Sequence, residues 1–298
     1  MSAELILGTA QLGSAYGINN KEGELSRVAA FSVLDTAYDE GIHILDTAEG
    51  YGNSESIIGD YHKSSNRLFK VCTKLSGQVD LKSPHYEDEL RMRLSASLEK
   101  LGVRSTFIYY LHDFSMCKNR ELLDFLLEEK TGERIENIGV SIYEPKELEY
   151  IICNIPEHID VVQIPLNALN CAQWLDGGLL PQAHEHEIEI AARSIYLQGL
   201  LFKDPEDAFV RKLGLTEQLA AFHRMAQDLG LSIAQAAYAF VQNIEGISWV
   251  LMGCETPRQV KENASMFHRS FAWPKTLLRS EIRTSQSIPP KAIDPRYW

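Results

Sequence analysis

The feature that most constrains this chain is an alternation repeated along its length: a short β-rich run, a stretch of helical periodicity, then another run. Eight such runs are readable: Leu5–Thr9, His43–Ala48, Phe69–Lys74, Thr106–His112, Ile135–Ser141, Val161–Leu166, Ile188–Ile195 and Ser248–Met252. Several are almost wholly apolar, as in Val161-Val162-Gln163-Ile164 and Trp249-Val250-Leu251-Met252. A strand with one wet face alternates apolar and polar residues, whereas a strand covered on both faces of a parallel sheet does not. These runs therefore predict buried parallel strands. Alternation alone permits a large open sheet or a closed barrel, and eight is the count at which a parallel barrel closes. The expected fold class is α/β, a (β/α)8 TIM barrel.

Between the runs lie amphipathic helices. Val28, Phe31, Leu34, Ala37 and Tyr38 predict one apolar stripe stopped by Gly41, and Leu90, Leu94, Leu98 and Leu101 predict another closed by Gly102. Pro145 suits a first helical position ahead of Leu148, Ile151 and Ile152. The interval before the last run holds two helical segments, Thr216–Leu229 and Ser232–Gln242. A length of 298 residues allows two domains at about 150 residues each. No linker, low-complexity tract or abrupt charge shift divides the chain, so one domain over 1–298 is expected. Its last part, 273–298, is a Pro-rich polar tail that either caps a barrel mouth or is partly mobile.

Lys+Arg 29 against Asp+Glu 41 leaves a net charge of −12. That balance argues against nucleic acid or an anionic membrane as a partner, while leaving room for a local basic pocket. No apolar run approaches the length of about 18 residues needed to span a bilayer. Met1-Ser2-Ala3-Glu4 has no basic region ahead of an apolar stretch, so no signal peptide is expected. Five scattered cysteines without a Cys-x-x-Cys suit a reduced, cytoplasmic setting.

In a parallel barrel, functional groups collect at the C-terminal ends of the strands. There the sequence places Asp46, Tyr51 in Glu49-Gly50-Tyr51-Gly52, Lys74, His112, Ser141, and Gln163 with Asn167. A phenol with its ordinary pKa near 10 is a poor acid at neutral pH. An ammonium beside a phenol stabilises the phenolate, and a carboxylate keeps that ammonium charged and oriented. The set makes a tuned proton donor for a carbonyl oxygen while hydride arrives at carbon, and acid catalysis of this kind is worth about 10² to 10⁴-fold.

These residues and their flanks resemble the aldo-keto reductase superfamily. The matching segments are Leu7-Gly8-Thr9-Ala10, Asp46-Thr47-Ala48-x-x-Tyr51-Gly52-x-x-Glu55-x-x-Ile58-Gly59, Thr73-Lys74, Leu111-His112, Ile138-Gly139-Val140-Ser141, Gln163-x-x-x-Asn167, Gln198-Gly199-Leu200-Leu201, and Gly253-x-x-x-Pro257-x-Gln259-x-x-Glu262-Asn263. They run in family order across almost the whole chain. The resemblance implies an NAD(P)H-dependent oxidoreductase acting on small aldehydes or ketones, sugar-derived ones included, with NADPH the usual cofactor and NADH its rival. It assigns Asp46, Tyr51, Lys74 and His112 to the catalytic tetrad, with Tyr51 as the acid. Gly8, Thr9, Asp46, Ser141 and Gln163 are assigned to the nicotinamide–ribose end. Ser194, Gln198 and Gly199 are assigned to the pyrophosphate. Gly253, Arg258, Gln259, Glu262 and Asn263 are assigned to the adenosine end, where a helix N-terminus favours an anion.

The match departs in places. Ser141-Ile142 stands where the family has Ser-Asn, so a carboxamide contact is lost or passes to Gln163. Arg193-Ser194 stands where the family has Tyr-Ser, and a guanidinium plane can stack on a ring; Arg193 is read first as a cofactor contact and second as a contact to an anionic substrate. Glu255 opposes a 2′-phosphate, whereas Arg258 would pair with one. Tyr109 and Tyr110 read as strand packing, and Tyr16 and Tyr143 as pocket walls or ordinary loop aromatics. His184-Glu185-His186-Glu187 has metal-ligand spacing but falls at the opposite mouth. Gly8-Thr9-x-x-x-Gly13 lacks the Gly-x-Gly-x-x-Gly fingerprint of a dinucleotide-binding Rossmann domain. Two other functions keep the same residues: a redox-sensing cofactor-binding subunit with little turnover, and an enzyme that epimerises or dehydrates. No feature bears on oligomeric state.

Overall fold

A computed structural model describes residues 3–20, 23–77, 79–80, 82–175, 177–274, 276 and 285–298. Among them, eight parallel strands close into a barrel in sequence order. The strands are β1 (Glu4–Gly8), β2 (Ile44–Asp46), β3 (Lys70–Leu75), β4 (Thr106–Leu111), β5 (Ile135–Ser141), β6 (Val161–Pro165), β7 (Glu189–Arg193) and β8 (Trp249–Gly253). Closure comes from β1 pairing with β8, from Glu4 opposite Trp249 to Gly8 opposite Gly253. The helices are α1 (Ala10–Gly13), α2 (Arg27–Asp39), α3 (Ser54–Ser65), α4 (Tyr86–Leu101), α5 (Arg120–Thr131), α6 (Pro145–Asn154), α7 (Ala172–Leu175), α8 (Leu179–Glu185), α9 (Ala208–Leu213), α10 (Thr216–Asp228), α11 (Ile233–Gln242) and α12 (Pro257–Phe267).

Gly102 closes α4 in a left-handed conformation and Pro145 opens α6, as expected from the sequence. Ser232 caps α11 in a reciprocal box with Gln235, and Thr256 caps α12 with Gln259. One predicted stripe is rotated. Helix α2 buries Ala30, Val33, Leu34 and Ala37, while Val28 is 81% exposed, so the inward face lies about one position away from the expected one.

Burial on two sides of the sheet follows from strand pleating, which sends alternate side chains to opposite faces. Ile6, Ile44, Cys72, Ile108, Tyr110, Val161, Ala191 and Trp249 fill the barrel interior. Their outward neighbours join the larger core beneath the helices. The same alternation positions the chemistry. Two residues beyond Ile44, Cys72, Val161 and Ala191, on the same inward face, stand Asp46, Lys74, Gln163 and Arg193. An apolar plug therefore carries a polar top layer at the C-terminal mouth.

Tyr110 is a bulky, fully buried element of that plug, and it is accommodated by its register partner Gly139 on β5. A β-carbon at Gly139 would overlap the Tyr110 ring and press on Ile108. Of the tail expected over 273–298, residues 275 and 277–284 lie outside the described residues. The remainder packs back on the barrel. The Trp273 ring meets Phe240 edge to face at 5.6 Å, and that of Trp298 meets Phe209 at 5.4 Å. Ser285 accepts a 2.8 Å hydrogen bond from the Ala172 amide on the mouth side.

Gly139→Ala is expected to destabilise the protein by about 1–3 kcal/mol through overpacking. Urea denaturation would show the cost, and a Tyr110→Leu background should shrink it; an equal cost in both backgrounds would refute the packing argument.

Candidate active site

The site is organised by a buried ion pair. Lys74 and Asp46 are 1% and 2% exposed, and the Lys74 ammonium donates to Asp46 Oδ1 and, at 2.8 Å, to the Thr47 carbonyl. The other carboxylate oxygen accepts from Gln163 Nε2 at 2.9 Å. Burial alone would push the Lys74 pKa down, but the Asp46 carboxylate outweighs it and the net shift is upward. Lys74 thus stays an ammonium. Its Nζ lies over two aromatic rings, 5.1 Å from the Tyr51 centroid and 5.5 Å from that of Tyr110.

Tyr51 is fixed by its backbone. Its amide donates to the Ala48 carbonyl at 2.9 Å, and its carbonyl accepts from Ser54 at the start of α3 at 3.0 Å. Helix α1 lies so close that a β-carbon on Gly13 would overlap the Tyr51 carbonyl. Ser54 also donates to Thr9 at 3.0 Å and accepts from Thr47 at 2.9 Å, tying the loops after β1 and β2 together. Opposite Tyr51 stands His112, the two rings edge to face at 6.4 Å.

His112 is held by residues that sequence reasoning passed over. Its Nδ1 lies 3.2 Å from Ser76 Oγ. The Ser76 amide donates to Glu49 Oε2 at 3.1 Å, and Arg93 on α4 grips Glu49 through Nε at 3.0 Å and Nη2 at 2.8 Å. Arg93 also donates to the Ser76 carbonyl. This clamp links helix α4 to both the Tyr51 loop and His112. Glu49 was legible only as a neighbour of Tyr51, since its arginine lies on α4, beyond the next strand.

A cavity of about 770 Å³ opens at this mouth and runs past β1, β7 and β8 to α12. Among the residues singled out from sequence, Gly8, Thr9, Asp46, Tyr51, Gln163, Arg193, Ser194, Gln198, Gly199, Gly253, Arg258, Gln259, Glu262 and Asn263 line it. Lys74, His112 and Ser141 are not among the lining residues: Lys74 is buried against Asp46, His112 is half-buried with its ring edge to face with Tyr51, and Ser141 is buried at the end of β5 in register with Gln163. Ser194, Leu197 and Gln198 all have positive φ, between 48° and 61°. Such strain in non-glycine residues concentrates at functional sites.

The cavity wall also contains Gln11, Asn19, Tyr196, Phe202, Gln235 and Arg269, none of which the sequence marked. Tyr196 donates to Asn263 Oδ1 at 3.0 Å and so fastens the β7 loop to α12. The helical segment Ser232–Gln242 was expected, but only the folded insertion between β7 and β8 carries it to the cavity. Arg258 is 84% exposed on its side chain and faces Glu262 at 3.7 Å, and Glu255 lines the same end. His184–Glu187 lies at the turn from α8 into β7, at the far end of the barrel. Among the described residues no group of three or more His, Cys, Asp or Glu is arranged to hold a metal ion, and no helix is long and apolar enough to cross a membrane.

The model of the aldo/keto reductase family matches residues 4–272. The chain belongs to the aldo/keto reductase family. It is 25% identical over 301 residues to "Uncharacterized oxidoreductase YqkF" of Bacillus subtilis, covering 94% of each chain. It is 26% identical over 311 residues to the "NADH-specific methylglyoxal reductase" of Escherichia coli, covering 93% of each. Among solved structures it resembles the holo form of aldo-keto reductase AKR11C1 from Bacillus halodurans, with a TM-score of 0.72 and 17% identity over 95% of this chain and 92% of that one. The barrel is the fold of this family, and the chain is accordingly an NAD(P)H-dependent oxidoreductase.

Burial, reinforced by the charges of Lys74 and Arg193, pushes the His112 pKa from 6.5 down to about 4. The unfolded chain therefore holds a proton that the folded chain has released between those values, and this group's contribution to stability falls as pH falls through that window. Two outcomes are expected. The kcat/KM profile shows no break near the ordinary histidine pKa, and His112→Gln loses less urea resistance than the wild type on going from about pH 7.5 to about pH 5. A histidine inflection near pH 6.5 that disappears in His112→Gln would contradict the neutral ring.

Proposed function

We propose that this chain reduces the carbonyl of a small aldehyde or ketone with hydride from NAD(P)H, and that Tyr51 donates the proton. The observation that carries this reading is the buried Asp46–Lys74 pair, with its ammonium against the Tyr51 ring, opening on a cavity of about 770 Å³. That volume is of the size used for small-molecule and cofactor sites.

Bound NAD(P)H supplies the hydride; the chain's own residues bind, orient and move the proton. Gly8, Thr9, Gln163 and the neighbouring Ser141 form the nicotinamide–ribose end, and Arg193 closes it from β7. The strained segment holding Ser194, Gln198 and Gly199 serves the pyrophosphate with backbone and short side chains. Gly253, Arg258, Gln259, Glu262 and Asn263 surround the adenosine at the start of α12, where the helix dipole favours anionic groups. At the reacting end, neutral His112 and Tyr51 hydrogen-bond the carbonyl oxygen. As that oxygen gains charge, Tyr51 releases its proton to it, and Lys74 offsets the phenolate left behind. Asp46 keeps Lys74 charged and fixed.

Tyr51→Phe keeps the ring and removes the acid. Turnover with any accepted carbonyl should fall by about 10² to 10⁴-fold, while nucleotide binding, followed by fluorescence titration, survives. Reduction at an unchanged rate would refute Tyr51 as the donor.

NADPH is the first reading of the cofactor, on the strength of the family resemblance. A specific observation favours NADH as the second: Glu255 lines the adenosine end, and Arg258, the residue read as partner for a 2′-phosphate, faces Glu262. Side-by-side titration separates the two. Under the second reading Glu255→Gln shifts the ratio of Kd values toward NADPH by about tenfold, the effect of removing one like-charge contact of about 1.4 kcal/mol. An unchanged ratio would remove Glu255 from cofactor choice.

A further inference from the structure

The cavity contains a cation without a counter-charge. Arg193 ends β7 with its guanidinium half-buried at the mouth, and its polar contacts are long: 3.4 Å to Ser194 Oγ and 3.3 Å to the Ile142 carbonyl. Among the described residues no carboxylate lies within ion-pair distance of it. This stands out in a chain of net charge −12, where other part-buried cations such as Arg93, Arg134 and Lys130 are each paired with an acid. A partly desolvated charge is usually paired, because leaving it unmatched costs free energy.

The plane of this guanidinium is held in place. Its Cζ lies 4.3 Å from the centroid of Tyr143, which follows β5, and Arg296 of the C-terminal tail lies over the same ring at 3.4 Å. Arg296 is itself neutralised by Asp294, through Nε at 3.0 Å and Nη2 at 2.6 Å. The tail thus contributes a wall rather than a free charge, leaving Arg193 as the uncompensated member of the stack. Arg193 lines the same cavity as Tyr51 and Tyr16.

We infer that the carbonyl substrate carries an anionic oxygen group, a carboxylate or a phosphate, and that Arg193, held by Tyr143 and Arg296, pairs with it at the reacting end of the cavity. Guanidinium is suited to this because its planar fork matches both groups with two parallel hydrogen bonds. The inference rests on the reading of the cavity as a site for NAD(P)H and a carbonyl. It adds the substrate's charge, which that reading leaves open.

The test uses the full chain, saturated with whichever nucleotide it binds, and matched carbonyl pairs: succinic semialdehyde against butanal, and glycolaldehyde phosphate against glycolaldehyde. The anionic member should have the higher kcat/KM by about tenfold or more, the size of one charge-assisted interaction; whichever pair shows it identifies carboxylate or phosphate. Arg193→Gln should bring that ratio close to one. The ratio is the readout because a contact of Arg193 with nucleotide alone would slow both members alike and leave the ratio intact, an outcome that overturns the inference. Should the variant fail to fold, succinate or inorganic phosphate should inhibit the wild type competitively against the preferred aldehyde. Absence of inhibition by both overturns the inference equally. Wild type that reduces both members equally refutes the anion site while the reductase reading stands. Wild type that reduces none of the four with either nucleotide refutes the reductase reading itself.

Discussion

An ammonium and a carboxylate, both almost wholly shielded from water, set the terms for the rest of the site. Taking either out of water alone is costly, and their attraction repays the cost only if the remaining donors and acceptors are satisfied. Here they are: Thr47 takes a second proton of Lys74, and Gln163 satisfies the second oxygen of Asp46. The three side chains come from β2, β3 and β6, so the pair is correct only when the barrel is closed and in register. Fold and chemistry are thereby coupled through one contact. A one-residue slip in β2 or β3 would turn Asp46 or Lys74 outward beneath the helices, because the pleat has period two.

Around that pair the structure is layered by chemistry rather than by sequence distance. Below it the barrel is apolar and crowded, with Tyr110 pressed against Gly139. Above it the side chains are polar and the cavity begins. The outer shell reaches in through Arg93 and Glu49, which brace the Tyr51 loop and His112 together. Tyr51 and His112, the two groups proposed to meet the same oxygen, are thus referenced to one helix, α4, although they leave the barrel from different strands.

Much of this was legible before any coordinates, and the reasons are physical. Buried parallel strands must be apolar on both faces, so all eight runs stood out, with ends within one or two residues of those observed. Asp46, Lys74, Gln163 and Arg193 were legible because the strand period that fills the barrel with Ile44, Cys72, Val161 and Ala191 also dictates what stands two residues on. Less legible were features that depend on rotation or on distant returns of the chain. The face of α2 turned out to be set by Val33 and Ala30 rather than by Val28. Nothing local to Tyr143 announces that Arg296, about half the chain away, will lie on its ring. The spacing of Arg258 and Glu262 did allow an i, i+4 pair, and reading Arg258 as free for a phosphate overlooked it.

The Arg193–Tyr143–Arg296 stack has an evolutionary consequence. Its two outer members belong to a strand end and to a tail that packs on the barrel through edge-on aromatics, while the groups proposed to handle the proton belong to β2, β3 and the loops after β2 and β4. With Arg193 meeting the substrate as proposed, what the mouth accepts can drift by rewriting the tail, with the reaction itself left under separate selection. Lineages built on this plan would diversify in diet faster than in chemistry.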